Sequence, residues 1–401
     1  MISLEEAQQL LLAGVDLLAS EVVDLPQASG RVLAADIKAT HTQPAEPRSR
    51  MDGIAVASST VEVGETFLLV GEAAAGAPFP GVLAEGQAVR IATGGVVPAG
   101  GVRVIPQESL DFPSTASARV REFQGDDFFI RQPGTDFRRG DLLLHAGSAL
   151  HPGALGLVAA ANHPTVAVRR RARVAILASG DELVPPGSEL QPGSTIDTAS
   201  FVLAALVAEW GGLACRLPPV ADMLTEVEAE LARCVEQFDV VVTIGGASVG
   251  ARDHFRPAAR ALGMELPFER IAVQPGKPCW HARDHRGGRC LGLPGNPASA
   301  FVCAVLLLKP LLDRLHGRSG FALPHASARL IDRPVSSGSR RSFLRARLSD
   351  AAGELVVSAA SDQDSGLQAA LATANCLIDL APGSSCSPGD MVRIVRLPGV
   401  A

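Results

Sequence analysis

The chain is 401 residues long, 47% hydrophobic and only 19% charged, with a formal net charge of −6. At roughly 100–200 residues per domain, that length accommodates several domains with substantial cores. The acidic balance, the 4% of aromatic residues and the absence of tyrosine argue against nucleic acid as a partner, because phosphate backbones attract basic surfaces and bases stack on aromatic rings.

The N-terminus carries Glu5 and Glu6 where a targeting segment would carry basic and then apolar residues. The longest apolar run, Ala300–Leu308, stops at Lys309-Pro310 and is too short to cross a bilayer. No membrane partner is therefore expected, and the chain reads as cytoplasmic. The cysteines at 215, 234, 279, 290, 303, 376 and 386 contain no Cys-x-x-Cys pair, which fits reduced, mostly buried thiols.

In chain order, Ser3 followed by Glu6 is a capping box, and Leu4, Ala7, Leu10 and Leu11 give the helix behind it an apolar stripe running to about Ala19. From Val22 to about Ile130 the pattern turns to short apolar runs broken by Gly and Pro. Val56, Phe67–Val70, Ala88–Ile91, Arg103–Ile105, Arg119–Arg121 and Phe128–Ile130 read as strands of a β-rich module. Gly140–Arg170 reads as a connector with one helix near Ala154–Ala161, and the basic run Arg169–Arg173 as a solvated junction.

From Arg171 onward, strands alternate with helices. Val174–Leu177, Val240–Ile244 and Cys290–Leu293 are strands. Helices follow at about Thr198–Trp210, from the Thr225-x-x-Glu228 box, from near Asp253, and from Pro297 to about Leu315. This alternation predicts a mostly parallel sheet covered by helices, with ligands beyond the carboxyl ends of its strands. After Gly317, the runs Phe343–Leu348, Glu354–Val357, Cys376–Leu380 and Met391–Val395 predict a small C-terminal β-barrel. The fold class is thus α/β and multidomain. Its parts are a connector (1–48 and 130–170), an inserted β-rich domain (49–129), a parallel-sheet α/β domain (171–320) and a barrel (321–401).

Four loops carry residues suited to chemistry. They are Ala178-Ser-Gly-Asp-Glu-Leu183, Gly245-Gly-Ala-Ser-Val-Gly-Ala-Arg-Asp253, Gln274-Pro-Gly-Lys-Pro278 and Leu293-Pro-Gly-Asn-Pro-Ala-Ser299. Glycines let backbone N–H groups approach a ligand, and helix N-termini favour anions, so such loops can cradle phosphate. Asp181, Glu182 and Asp253 are hard oxygen donors for Mg²⁺, and Lys277 can neutralise an oxyanion. One such loop alone is ordinarily a turn, and Asp253 alone a helix cap. Four of them, three ending strands of one sheet, favour a site. His281 and His285 have the i, i+4 spacing of zinc ligands on a helix, but Arg283–Gly288 reads as a hairpin tip, which places them off any helix.

Taken in order, these loops resemble the molybdopterin molybdenumtransferase family, the type that includes the C-terminal domain of gephyrin. The resemblance also rests on Ser3-Leu-Glu-Glu-Ala7, Gly30-Arg-Val-Leu-Ala34, Ser49-Arg-Met-Asp-Gly53, Thr93-Gly94, Gly134-Thr-Asp136, Arg340-x-x-Phe-x-Arg345 and Gln363-x-Ser-Gly366. It implies an L-shaped, four-domain homodimer whose central domain binds molybdopterin. It implies a transferase that takes adenylylated molybdopterin and molybdate, uses Mg²⁺ and releases AMP. A molybdopterin adenylyltransferase and acceptor molybdoenzymes are the implied protein partners. Asp253, Glu182 and Asp52 are the implied catalytic carboxylates, the first two on the metal. Thr93, Asp136, Ser179, Gly180, Asp181, Gly245, Gly246, Ser248, Gly250, Pro294, Gly295 and Asn296 are implied for substrate. Lys277, Ser299, Arg340 and Ser365 are implied for molybdate.

The chain departs from the family pattern at several positions. Gln274 stands where a second lysine is usual, and Ala199 where the family has asparagine. Val102, Thr135, Ala251 and Arg50 also differ. Two rival readings remain: a diverged paralogue that binds molybdopterin or AMP without turnover, as an adaptor or chaperone, and a nucleotide phosphohydrolase on the same α/β fold.

Overall fold

The structure is a computed structural model, and it describes residues 1–122, 127–245, 254–318 and 323–397. Helix α1 (Leu4–Leu12) begins as expected, with the Ser3 hydroxyl accepting from the Glu6 N–H. It stops well before Ala19, because Gly14 adopts a left-handed conformation (φ 62°) that ends the helical run. Leu4, Ala7 and Leu11 are buried in the same core as the α/β sheet, so the first helix packs on that unit.

The β-rich module holds a six-stranded sheet in the order Arg103–Pro106, Gly53–Val56, Gln87–Ile91, Thr66–Ala73, Ser117–Val120, Leu110–Ser114. Its strands alternate because side chains point to opposite faces, and two small cores result, one around Ile54 and Phe67, the other around Val89 and Val104. Helix α2 (Pro152–Ala160) lies in the connector. The basic run after it is solvated only in part: Arg171 and Arg173 are exposed, whereas Arg169 and Arg170 are held by the fold. Arg170 makes a bidentate pair with Asp239 at 2.7 and 2.6 Å, and Arg169 donates to the Leu18 carbonyl at 3.1 Å. A planar guanidinium matches a carboxylate and bridges chain segments better than water does.

The α/β sheet runs in the order Leu213–Arg216, Arg173–Ala178, Val240–Ile244, Arg289–Leu293, Trp280–Arg283, Glu265–Phe268. The first four are parallel, Trp280–Arg283 runs antiparallel to them, and Glu265–Phe268 pairs antiparallel with Trp280–Arg283. Val240–Ile244 is buried along its whole length, as a strand covered on both faces must be. The covering helices are α3 (Ala199–Glu209), α4 (Leu224–Gln237), α5 (Phe255–Ala261), α6 (Pro297–Cys303) and α7 (Lys309–His316). Helix α4 starts before the expected box: Met223 is its cap residue, and Thr225 falls inside the first turn. Between α6 and α7 a π-turn, Ala304–Leu308, keeps the long helical run continuous.

The C-terminal strands close into a five-stranded barrel: Arg341–Ala351, Glu354–Ala359, His325–Leu330, Met391–Arg396 and Cys376–Leu380, the last pairing back with the first. One connection was not expected. Val273–Gln274, from the α/β half, pairs in parallel with Arg341 and Ser342 of the barrel. That pairing carries the Gln274–Pro278 loop to the barrel's edge.

Candidate active site

Because the central strands are parallel, the loops after Ala178, Ile244 and Leu293 emerge on one edge. They are stitched there: the Ser179 N–H donates to the Ile244 carbonyl at 3.2 Å, and the Gly245 N–H to the Leu293 carbonyl at 3.3 Å. These loops wall a cleft of about 520 Å³ lined by Ser179, Glu182, Asp197, Gly245, Gly295 and Asn296, among others. Gly180 has φ 147°, and a Cβ there would lie 2.7 Å from a Glu182 carboxylate oxygen. Glycine therefore lets Glu182 fold back over its own turn.

A second cavity of about 370 Å³ adjoins the first, lined by Gln274, Lys277, Ser299, Arg340, Arg345, Asp364 and Ser365. Its charged lining residues are three cations (Lys277, Arg340, Arg345) and one carboxylate (Asp364). It lies between the loop after Val273–Gln274, the start of α6 and the barrel. Gly276 has φ 124°, and a Cβ there would sit 2.5 Å from the Cys303 sulfur, so the loop lies flat against α6 only with glycine at that position. Arg340 donates to the Val273 carbonyl at 3.1 Å and to Gln274 Oε1 at 3.3 Å. Arg345 is buried and donates to the carbonyls of Asp362, Asp364 and Leu367 at 3.4, 2.7 and 3.0 Å, which fixes the loop that carries Ser365. The two cavities share a wall, where Asn296 Nδ2 donates to Ser365 Oγ at 2.7 Å.

The expected residues fall into four groups. Ser179, Glu182, Gly245, Gly295 and Asn296 meet at the first cavity, and Lys277, Ser299, Arg340 and Ser365 at the second. Gly180, Asp181 and Pro294 line neither: Gly180 shapes the turn under Glu182, the Asp181 carboxylate accepts from the Asp222 N–H at 3.3 Å, and Pro294 is buried behind its loop. Gly246, Ser248, Gly250 and Asp253 lie outside the described residues, and the cap position of α5 is His254.

Asp52, Thr93 and Asp136 belong to the β-rich and connector parts and line neither cavity within this chain. The Thr93 N–H and hydroxyl donate to Asp52 at 2.6 and 2.9 Å and hold its carboxyl below the usual carboxylate range. His281 and His285 form no metal site. His281 is buried within a strand with Nδ1 3.0 Å from the Cys290 carbonyl, and His285 is in the turn beyond it. Among the described residues, no group of three His, Cys, Asp or Glu is arranged to hold a metal.

Four lining residues were not singled out from the sequence. Asp197 and Thr198 lie in the stretch that departs from the family pattern at Ala199. Arg345 closes the Arg340-x-x-Phe-x-Arg345 motif, whose spacing alone does not show a pocket role. Gln368 comes from barrel helix α8 (Gln368–Thr373) and donates to the Thr198 hydroxyl at 2.7 Å. Only the fold brings that residue, far along the chain, to the cleft.

Comparison with known proteins agrees along the whole chain. Residues 2–162 match the MoeA N-terminal region (domain I and II), 175–314 the family described as "Probable molybdopterin binding domain", and 327–397 the MoeA C-terminal region (domain IV). A molybdopterin molybdenumtransferase of Haemophilus influenzae is 32% identical, with 98% of each chain covered. A molybdopterin molybdenumtransferase 2 of Mycobacterium tuberculosis is 34% identical over 93% of this chain and 92% of that one. The crystal structure of a molybdopterin biosynthesis MoeA protein from Pyrococcus horikoshii superposes with TM-score 0.80 at 28% identity, covering 100% of both chains. On these grounds the chain belongs to the molybdopterin molybdenumtransferase family.

Proposed function

We propose that this protein is a molybdopterin molybdenumtransferase: it accepts adenylylated molybdopterin, transfers molybdenum from molybdate to the pterin dithiolene, and releases AMP. The observation that carries this reading is the shared wall between the two cavities. A phosphorylated pterin in the strand-end cleft and a tetrahedral oxyanion in the cation-lined pocket would lie side by side across the Asn296–Ser365 contact. Full-length similarity to transferases supports it.

The pterin thiolates are the nucleophiles toward molybdenum, so the protein's task is positioning and charge placement. Lys277, Arg340 and Arg345 supply positive charge to molybdate, and Ser299 and Ser365 supply hydroxyl donors. Glu182 and Asp253 would hold Mg²⁺. The Glu182 carboxylate is a hard oxygen donor on the cleft wall, and Mg²⁺ commonly needs only one or two carboxylates beside substrate phosphates. When bound, the ion offsets charge on the phosphate as AMP leaves.

Asp52, Thr93 and Asp136 would act from the partner copy of a homodimer, since they line neither cavity of their own chain. The protein would work in the cytoplasm, between a molybdopterin adenylyltransferase and acceptor molybdoenzymes. Among the described residues, no helix is long and apolar enough to cross a membrane. The test is reconstitution: the protein, adenylylated molybdopterin, Mg²⁺ and molybdate should activate a molybdenum-free acceptor molybdoenzyme. Activation that proceeds equally without this protein would end the proposal.

A further inference from the structure

We propose that the second cavity sorts tetrahedral oxyanions by protonation state, accepting those with no proton and rejecting hydrogen phosphate. Asn296 and Arg340 act as the positioning residues that make it so. This rests on the reading of that cavity as an oxyanion pocket.

The hydrogen-bonding groups left free in the pocket are mainly donors. Arginine is only a donor, so its contact with Gln274 Oε1 at 3.3 Å turns the amide oxygen toward Arg340. The Gln274 NH₂ group, which has no partner among the described residues, is left as a donor at the pocket. Similarly, Asn296 Nδ2 donates to Ser365 Oγ at 2.7 Å. A hydroxyl that already accepts has its own proton free to give. Lys277 and Ser299 also line the pocket, and their side chains make no hydrogen bond among the described residues. Gln363, also in the lining, spends both ends of its amide on backbone: Oε1 accepts from the Arg345 N–H, and Nε2 donates to the Arg345 and Ala360 carbonyls. Asp364, the only carboxylate among the described lining residues, is exposed and has one oxygen taken by the Gly366 N–H at 2.7 Å.

Among the described residues the pocket therefore offers more donors than acceptors: Gln274, Lys277, Ser299, Arg340 and Ser365 donate, and only the hydroxyl lone pairs and the exposed Asp364 carboxylate accept. Molybdate, tungstate and sulfate at neutral pH are acceptors on all sides and match that set. Inorganic phosphate keeps at least one proton, and its P–OH must find one of those few acceptors or displace a donor contact and leave a polar group unpaired. The reacting anion must be picked out of a cell in which phosphate is abundant, so this arrangement bears directly on specificity.

The test is calorimetric titration of the full-length protein with molybdate, sulfate and hydrogen phosphate at about pH 8, where phosphate is also a dianion. Charge is then matched between sulfate and hydrogen phosphate, and only the proton differs. Sulfate is expected to bind about tenfold or more tightly than hydrogen phosphate, the worth of one mispaired polar group.

Asn296→Asp reverses the arrangement: a carboxylate only accepts, so the Ser365 hydroxyl must donate to it and turn a lone pair into the pocket. That variant should weaken both dianions but shrink or invert the preference. Ser365→Ala, a truncation on a loop, should lower sulfate affinity and narrow the preference without reversing it. Equal binding of sulfate and hydrogen phosphate by the wild type overturns the inference while leaving an oxyanion pocket in place. A proportional loss of both anions in Asn296→Asp shows charge alone at work and also overturns it. If none of the three anions binds, the cavity is not an oxyanion site, and the functional reading beneath the inference falls with it.

Discussion

Gln274 is the departure with the most measurable consequence. Replacing it with lysine restores the second ammonium group usual in the family, and the geometry sets the size of the effect. At about 4 Å, one ammonium attracts a dianion by ~2 kcal/mol in water-like surroundings, twice the value for unit charges. That screening is the right limit because Gln274 is exposed. Against this, Arg340 already lies against the side chain, with Nη2 3.3 Å from Gln274 Oε1. A lysine there meets a like charge at a cost of ~1 kcal/mol in the same limit. In the free protein the new ammonium swings into solvent, and molybdate binding must draw it back. The net gain is then ~1 kcal/mol, or about fivefold in affinity. Arg341 does not already supply the missing charge, since it is bound to Asp379 at 2.7 Å and to Glu5. The assay is a molybdate titration of AMP release. The half-saturating concentration should fall about fivefold in Gln274→Lys with the maximal rate unchanged. An unchanged or raised half-saturation would show that Arg340 and Arg345 already meet the anion's charge, and the reasoning would be refuted.

Further predictions concern the metal, the assembly and the cores. Asp253→Asn should abolish AMP release with little change in the urea midpoint, because the cap position of α5 is His254; near-normal release would remove Asp253 from the site. Light scattering at micromolar concentration should find a homodimer, and a fully active monomer would contradict the assignment of Asp52, Thr93 and Asp136 to a shared site. His281 and His316 are each pushed down to about 4, chiefly by burial. Their folded values lie below the unfolded value, so the unfolded state takes up more protons as the pH drops. Stability should therefore be full above about pH 6.5 and decline toward pH 4 by up to about 1.4 kcal/mol per pH unit for each histidine. Urea midpoints at about pH 7.5 and pH 5 measure this, and His281→Gln should flatten the decline; an equal slope in that variant would assign it to other groups.

Where structure follows from local pattern, the sequence was readable. Val240–Ile244 is an unbroken apolar run and is a central, fully buried strand. Phe67–Val70 and Arg103–Ile105 fall within strands of the β-rich sheet. The loop glycines after parallel strands pointed to the cleft because strand direction alone puts those loops on one edge. What was not legible depends on contacts between distant segments. The pairing of Val273–Gln274 with the barrel, the reach of Gln368 to Thr198 and the tie from Asn296 to Ser365 have no local signature. The basic run at 169–173 misled for the same reason: Asp239, the partner of Arg170, is remote in sequence. The end of α1 differs because the apolar residues continue past Gly14, which outweighed the stop that a glycine just past the cap signals.

The central claim is that molybdate and an adenylylated pterin react in adjoining cavities of one site. Its most direct test is AMP release from adenylylated molybdopterin and Mg²⁺, followed by chromatography with and without molybdate. The account predicts release that saturates with molybdate and is lost in Glu182→Gln, whose carboxylate lines the cleft. AMP release at the same rate without molybdate would make the protein a phosphohydrolase, and binding without any release would make it an adaptor; either result would contradict the account.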